Sequence, residues 1–288
     1  MKKYRVLFIL AAIFCLAGNM FAQKDFFDNQ GQVTPGLSGD TEDVLPIQIQ
    51  NPRTDDVFWD KVIYLQIDLR ERINYPLYYP EKAIDGRVSL FTLIFNLVKD
   101  GKVPAYEFDP ETEVFTPEKK ADFEKFLTTF RVYYYVEQDP ITNETLFIVE
   151  EGDIPNRECL KYFIKEVWYF DKNTSTFNAK IVAISPVMVT DLDNTGQLEN
   201  VFTFWVPFDL LRPYLAQTEV LITNRNSGDL MSFDDLFMKR RFSGNIYKEA
   251  NEQNRMLLEY SDTPAEVHRE QARIKNELVN FENDLWEY

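Results

Sequence analysis

Two cysteines and one histidine in 288 residues remove most catalytic and metal-binding readings before any motif is weighed. His268 alone builds neither a Ser-His-Asp triad nor a histidine zinc site. Cys15 sits inside an N-terminal apolar run, and if that run is a cleaved leader Cys159 stands alone. An intramolecular disulfide, a cysteine metal site and a redox pair are then excluded. We read Cys159 as a small buried hydrophobe beside Leu160, and His268 as an exposed helix residue. Basic charge is also short. The 31 Lys and Arg against 47 Asp and Glu leave a formal charge of −16, which disfavours nucleic acid and anionic lipid headgroups and favours basic partners. Long apolar runs are scarce too: Val6 to Ala17 is the main one, and it is too short for a comfortable membrane span.

That run has the layout of a secretory leader. Lys2, Lys3 and Arg5 precede it, and Met20-Phe-Ala22 leads into a polar segment from Gln23, so residues 1–22 are expected to be removed after Ala22. A lipoprotein signal needs a small residue just before its cysteine, whereas Cys15 follows Phe14. The expected mature protein is therefore periplasmic, carries no lipid of its own, and is three charges more negative. A chain this long buries roughly 75% of its unfolded surface, so no staple is required.

Glycine and proline concentrate in residues 23–53, at Gly31, Pro35, Gly36, Gly39, Pro46 and Pro52, with no sustained period. This is the pattern of an extended arm or linker. Its apolar islands, Phe26-Phe27 and Val44 to Ile49, suit an arm that packs either on its own body or on a neighbouring subunit. From residue 54 to 288 the pattern predicts an α+β domain. Lys61 to Arg70 reads as a strand leading into an irregular segment broken by Asn74, Pro76 and Pro80. Ser89 caps a helix that Gly101 ends, and Pro117 to Thr128 reads as a second helix. Tyr133 to Val136 and Thr145 to Val149 flank a hairpin turn. Tyr162–Phe170, Phe177–Val189 and Leu198–Val206 read as three consecutive strands of one antiparallel sheet. A short helix over Asp209–Ala216 precedes another with Ser232 and Asp235 as a capping box. From Pro264, Val267, Ile274 and Phe281, interleaved with Leu278 and Leu285, predict a long amphipathic C-terminal helix. The helix starts at Ser89 and Ser232 echo one another, which fits either an internal duplication into halves of about 54–150 and 151–288 or convergent capping.

Chemistry-bearing patterns are few. The Asp191-Leu-Asp193-Asn-Thr-Gly196 stretch invites calcium, yet its twelfth position is Phe202 instead of a bidentate acid, and a turn explains the same residues. Asp68-Leu-Arg70-Glu71-Arg72 lacks nucleophile and base, and reads as a charge-paired strand end. Carboxylate pairs are plentiful, so a periplasmic glycan-binding or glycan-cleaving protein stays open as the alternative class. The 24 Phe, 15 Tyr and 4 Trp are large anchors for a core first and a protein interface second.

Trp59-Asp-Lys-Val-Ile-Tyr-Leu-Gln-Ile-Asp-Leu-Arg-Glu-Arg-Ile-Asn-Tyr-Pro-Leu-Tyr-Tyr-Pro80 and Phe233-Asp-Asp-Leu-Phe-Met-Lys-Arg-Arg-Phe242 resemble signature blocks of the GldN/PorN family of Bacteroidetes. Similarity continues, in the same order, at Tyr162–Lys172, at Ile184–Val187 and in Asn280-Phe-Glu-Asn-Asp-Leu-Trp286. The resemblance implies a structural, non-enzymatic part of the type IX protein secretion and gliding machinery, without cofactor. It implies a periplasmic ring formed with a GldK/PorK-like outer-membrane lipoprotein, self-association within that ring, and contact with a GldM/PorM-like inner-membrane motor protein. The chain would reach the outer membrane through the lipoprotein and not by its own insertion. The candidate structural or interface residues in these blocks are Trp59, Asp68, Arg70, Asn74, Tyr78, Tyr79, Trp168, Phe233, Leu236, Phe237, Arg240, Arg241, Phe242, Phe281 and Trp286.

Overall fold

A computed structural model describes residues 45–48, 51–84, 86–107, 121, 123–129, 134–138, 145–149, 154–191, 196–220, 231–250 and 255–286. It shows an α+β body built on a seven-stranded antiparallel sheet. Strand β1 (Val57–Asp68) pairs with β5 (Cys159–Asp171), and β5 pairs with β6 (Thr176–Thr190). β6 meets both β7 (Glu199–Phe202) and β8 (Phe204–Pro207), β8 carries the short β2 (Tyr106–Glu107), and β9 (Asn245–Glu249) closes the other edge against β1. The expected hairpin is present as β3 (Tyr134–Gln138) paired antiparallel with β4 (Thr145–Val149), and its turn lies outside the described residues.

Alternation along the strands sorts the core, because successive side chains point to opposite faces. Ile63, Leu65 and Ile67 of β1 join Ile164, Ile184 and Val206 in the main core, whereas Tyr64, Phe163, Val187, Trp205 and Tyr247 form a second cluster on the reverse face. The helices explain where the main core is sealed. Helix α1 (Tyr75–Tyr78) follows β1, and α2 (Leu90–Lys99) is capped by Ser89, whose Oγ accepts from the Thr92 N–H at 3.1 Å. Gly101 ends α2 with a φ of 67°, a left-handed conformation that favours glycine. α3 (Phe123–Thr129) packs Phe126 on Phe95 and Phe204. α4 (Phe208–Gln217) and α5 (Phe233–Met238) meet through Phe208 and Phe237, and the Ser232/Asp235 capping box opens α5 as its sequence predicts. After the short α6 (Leu257–Tyr260), α7 (Pro264–Trp286) runs to the end of the described chain.

Three local expectations are corrected. The segment after β1 is a 3-10 turn over Arg72–Asn74 followed by α1 and not irregular chain, since Pro76 falls in the first helical turn where its missing N–H is not needed. The run Leu198–Val206 is broken into β7 and β8 at Thr203. The opposing residue range of β6 contains Pro186, which has no N–H for the ladder, and the Thr203 hydroxyl donates to the Pro186 carbonyl at 2.6 Å instead. The second helix starts at Phe123, with Ala121 outside it in a bond to the Ala105 carbonyl, and Pro117 lies outside the described residues.

No helix among the described residues is long and apolar enough to cross a membrane. Among the same residues no group of three or more His, Cys, Asp or Glu could hold a metal ion. The Asp191 carboxylate accepts the Gly196 N–H at 2.7 Å, and residues 192–195 of that turn are outside the described set.

Candidate functional site

The first sequence block meets the chain just after the second, far away in sequence, at the end of β1. Asp68 finishes the strand and is gripped by Arg70, whose Nε and backbone N–H each reach Oδ1 at 2.9 Å. The Arg70 hydrogen bond holds the Asp68 carboxyl below its ordinary value against the opposing effect of burial, helped by the cross-strand charge of Lys161. The charge-paired strand end is therefore real. Asn74, fully buried, stitches this end to the chain after α5: its Nδ2 donates to the Asp68 carbonyl (2.8 Å) and the Ser243 carbonyl (3.0 Å), and its Oδ1 accepts the Ser243 N–H (2.9 Å). Tyr78 donates to Glu81 at 3.3 Å, and Tyr79 packs edge-on against Tyr75 and Tyr78 while 43% exposed. With Ile73 and Tyr75, Tyr79 contributes to the exposed side chains of this segment.

A second joint lies on the main-core face of β5. The Glu166 side chain is wholly buried and paired with Arg240, Nη1 to Oε1 at 3.0 Å and Nη2 to Oε2 at 3.1 Å, while the Trp168 indole N–H donates to the same carboxylate at 3.0 Å. Sequence reading missed Glu166, because nothing in Lys165-Glu166-Val167 tells which face of a strand buried on both sides an acid will occupy. The Arg240 guanidinium lies over the rings of Trp168 (5.4 Å) and Phe242 (5.5 Å). Arg240 ends α5 at φ 49°, a left-handed position usually left to glycine or asparagine. An arginine here bears that strain because its side chain closes the buried carboxylate. Arg241 is exposed, and its backbone N–H caps the helix at the Leu236 carbonyl. Phe233, Leu236 and Phe237 are buried in the core, which assigns them a packing role and removes them from any outer face.

Above this joint α7 crosses the sheet. Phe281 stacks on Trp59 with ring centroids 4.3 Å apart, and Phe177 links Trp59, Trp168 and Phe281 at 5.6 to 5.9 Å. Ile274 and Leu278 are the buried residues of the helix, Val267 and Phe281 are half-buried, and the Leu285 and Trp286 side chains lie outside the described residues. Polar bonds complete the seat. Gln271 donates to the edge-strand carbonyl of Ile246 at 2.8 Å, Lys61 pairs with Glu249 (2.9 Å) and Glu277 (3.0 Å), and Arg273 pairs with Glu249, Glu270 and Glu277. Between α7 and the sheet a groove of about 330 Å³ stays open, floored by Trp168, Phe177 and Phe242, walled by Leu278 and Val279, with Arg240, Lys275 and Glu282 at its charged positions.

A third feature concerns the arm. The buried Asp234–Arg212 pair (2.8 Å) holds the backbone of Ile47 from both sides, Asp234 accepting its N–H at 3.2 Å and Arg212 donating to its carbonyl. The C-terminal part of the arm thus packs on its own body, while the Leu45 and Ile47 side chains face outward at 71% and 46% exposure. Further on, Asn51 accepts from Lys180, which also pairs with Asp209.

The sequence blocks supply one side of these joints, and Arg212, Glu249, Gln271 and Arg273 complete them from outside the blocks. Cys159 is fully buried, and desolvation pushes its thiol up to about 12. His268 is exposed and faces Gln271 at 3.2 Å. None of the curated proteins compared with the chain matches it significantly. The family model described as gliding motility associated protein GldN matches residues 52–287, spanning the whole described body from the first strand to α7, and the chain therefore belongs to the GldN family.

Proposed function

We propose that this gliding-motility-associated protein is a structural subunit of the type IX secretion and gliding machinery, working in the periplasm without enzymatic activity. In this reading it repeats within a ring anchored to the outer membrane by a GldK/PorK-like lipoprotein and meets a GldM/PorM-like motor protein. The observation that carries the reading is the family match over the body. The architecture supports it, since cross-linked joints at Asn74, Glu166 and Asp234 tie distant segments into a body that transmits force through packed protein. The groove does not favour a glycan hydrolase. The described lining holds one carboxylate, Glu282, the nearby Glu166 is already engaged by Arg240 and Trp168, and hydrolysis needs two acids facing across a cleft.

Affinity purification of the chain from detergent-solubilised membranes of its native host tests the proposal. The expected outcome is recovery of a lipid-modified outer-membrane protein and of further copies of the chain. Recovery of the chain alone, as a monomer, from cells producing the whole machinery overturns it.

A further inference from the structure

The groove between α7 and the sheet has the chemistry of a receptor for the chain's own arm. We propose that Phe26 and Phe27 of one copy insert into the α7 groove of the next copy. This inference rests on the ring-subunit reading, for which it names one subunit contact. The lining supplies aromatic partners in Trp168, Phe177 and Phe242, and Val279 stands 52% exposed at its wall, so apolar surface is left for an incoming anchor. The arm reads Lys24-Asp25-Phe26-Phe27-Asp28, acids and a base around a Phe pair, and the groove offers Lys275 to the acids and Glu282 to the base, Arg240 being already paired with Glu166.

Reach permits the exchange. The arm is fixed to its own body at Ile47 by the Asp234–Arg212 clasp, and residues 23–44 upstream span about 70 Å when extended. A body of this size is roughly 45 Å across, so a segment of that length is long enough to reach a neighbouring subunit. The clasp at Asp234 and the groove at Arg240 use different residues, so each copy carries both a donor and an acceptor. Such head-to-tail contacts are heterologous and close into rings when the rotation permits.

The test uses two variants of the exported chain: an arm variant, Phe26→Ala with Phe27→Ala, and a groove variant, Lys275→Glu with Val279→Asp. The groove substitutions fall on exposed residues, and a thermal melt matching the parent checks that both variants are folded. Each variant alone is expected to self-associate roughly 100-fold more weakly in sedimentation, as loss of aromatic hot-spot anchors implies. An equal mixture is expected to form a heterodimer and nothing larger, because the groove variant still donates an intact arm to the arm variant's intact groove. Parent-like self-association of either variant overturns the proposal. So does a mixture that stays monomeric, which would assign the arm to its own groove. Lipoprotein capture by the same variants separates the two levels: retained capture with failed complementation rejects arm exchange alone, and lost capture by the parent chain rejects the ring reading.

Discussion

Arg240 shows how one side chain is made to serve three neighbours. It pairs with a carboxylate that has no exposure, lies over two aromatic rings, and does so from a left-handed backbone position. Removing one partner of a buried pair leaves an uncompensated charge, so Arg240→Ala is expected to lower stability by about 3 kcal/mol. Adding Glu166→Gln should recover part of the loss, because a neutral amide keeps the Trp168 hydrogen bond without the unpaired charge. Denaturant midpoints of the two single variants and the double variant check this, and a double variant no more stable than Arg240→Ala would sink it. Cys159 illustrates the opposite case. Its thiol is buried and pushed up to about 12, so thiolate is absent at neutral pH. We expect no alkylation of Cys159 in the native protein and full alkylation in denaturant, read by intact mass.

At the scale of elements, the seat of α7 depends on charge as well as packing. Among its described side chains Ile274 and Leu278 are buried, and the Lys61, Glu249, Arg273 and Glu277 network adds ties to β1 and β9. Burial by itself raises the Glu249 carboxyl, but hydrogen bonds from Lys61 and Arg273 outweigh it and hold the group below its ordinary 4.5. A carboxylate depressed in the folded state contributes stability above its unfolded value and loses it as pH falls through the folded one. The seat of α7 should therefore weaken as pH drops below 4.5. Amide hydrogen exchange in α7 is expected to accelerate there before exchange in β5, whereas parallel acceleration of both would contradict a local effect.

For the whole molecule, the clasp on Ile47 fixes the described end of the arm to the body. Asp234 is 2% exposed and Arg212 12%, so Arg212→Ala should cost about 3 kcal/mol through the unpaired Asp234 and also release the arm backbone. The Ile47 amide is expected to lose its exchange protection in this variant. Protection equal to that of the parent would show that the clasp does not hold the arm.

Much of the architecture was legible because it depends on neighbours in sequence. Ser89, Ser232 with Asp235, and Gly101 mark helix ends through bonds to residues only three or four positions away. The β-branched and aromatic runs marked β1, β5 and β6, and the spacing of Ile274, Leu278 and Phe281 marked α7 as amphipathic. The ordered blocks also carried the family. What the chain could not disclose locally were contacts across long separations: Pro186 against Thr203, Asn74 against Ser243, Glu166 against Arg240, and Asp234 against Ile47. The first and third depend on strand register and on which face of a doubly covered sheet a polar residue meets, the other two on where α5 and the chain around it dock. Periodicity specifies that a strand alternates, whereas only the packed structure decides which partner stands opposite.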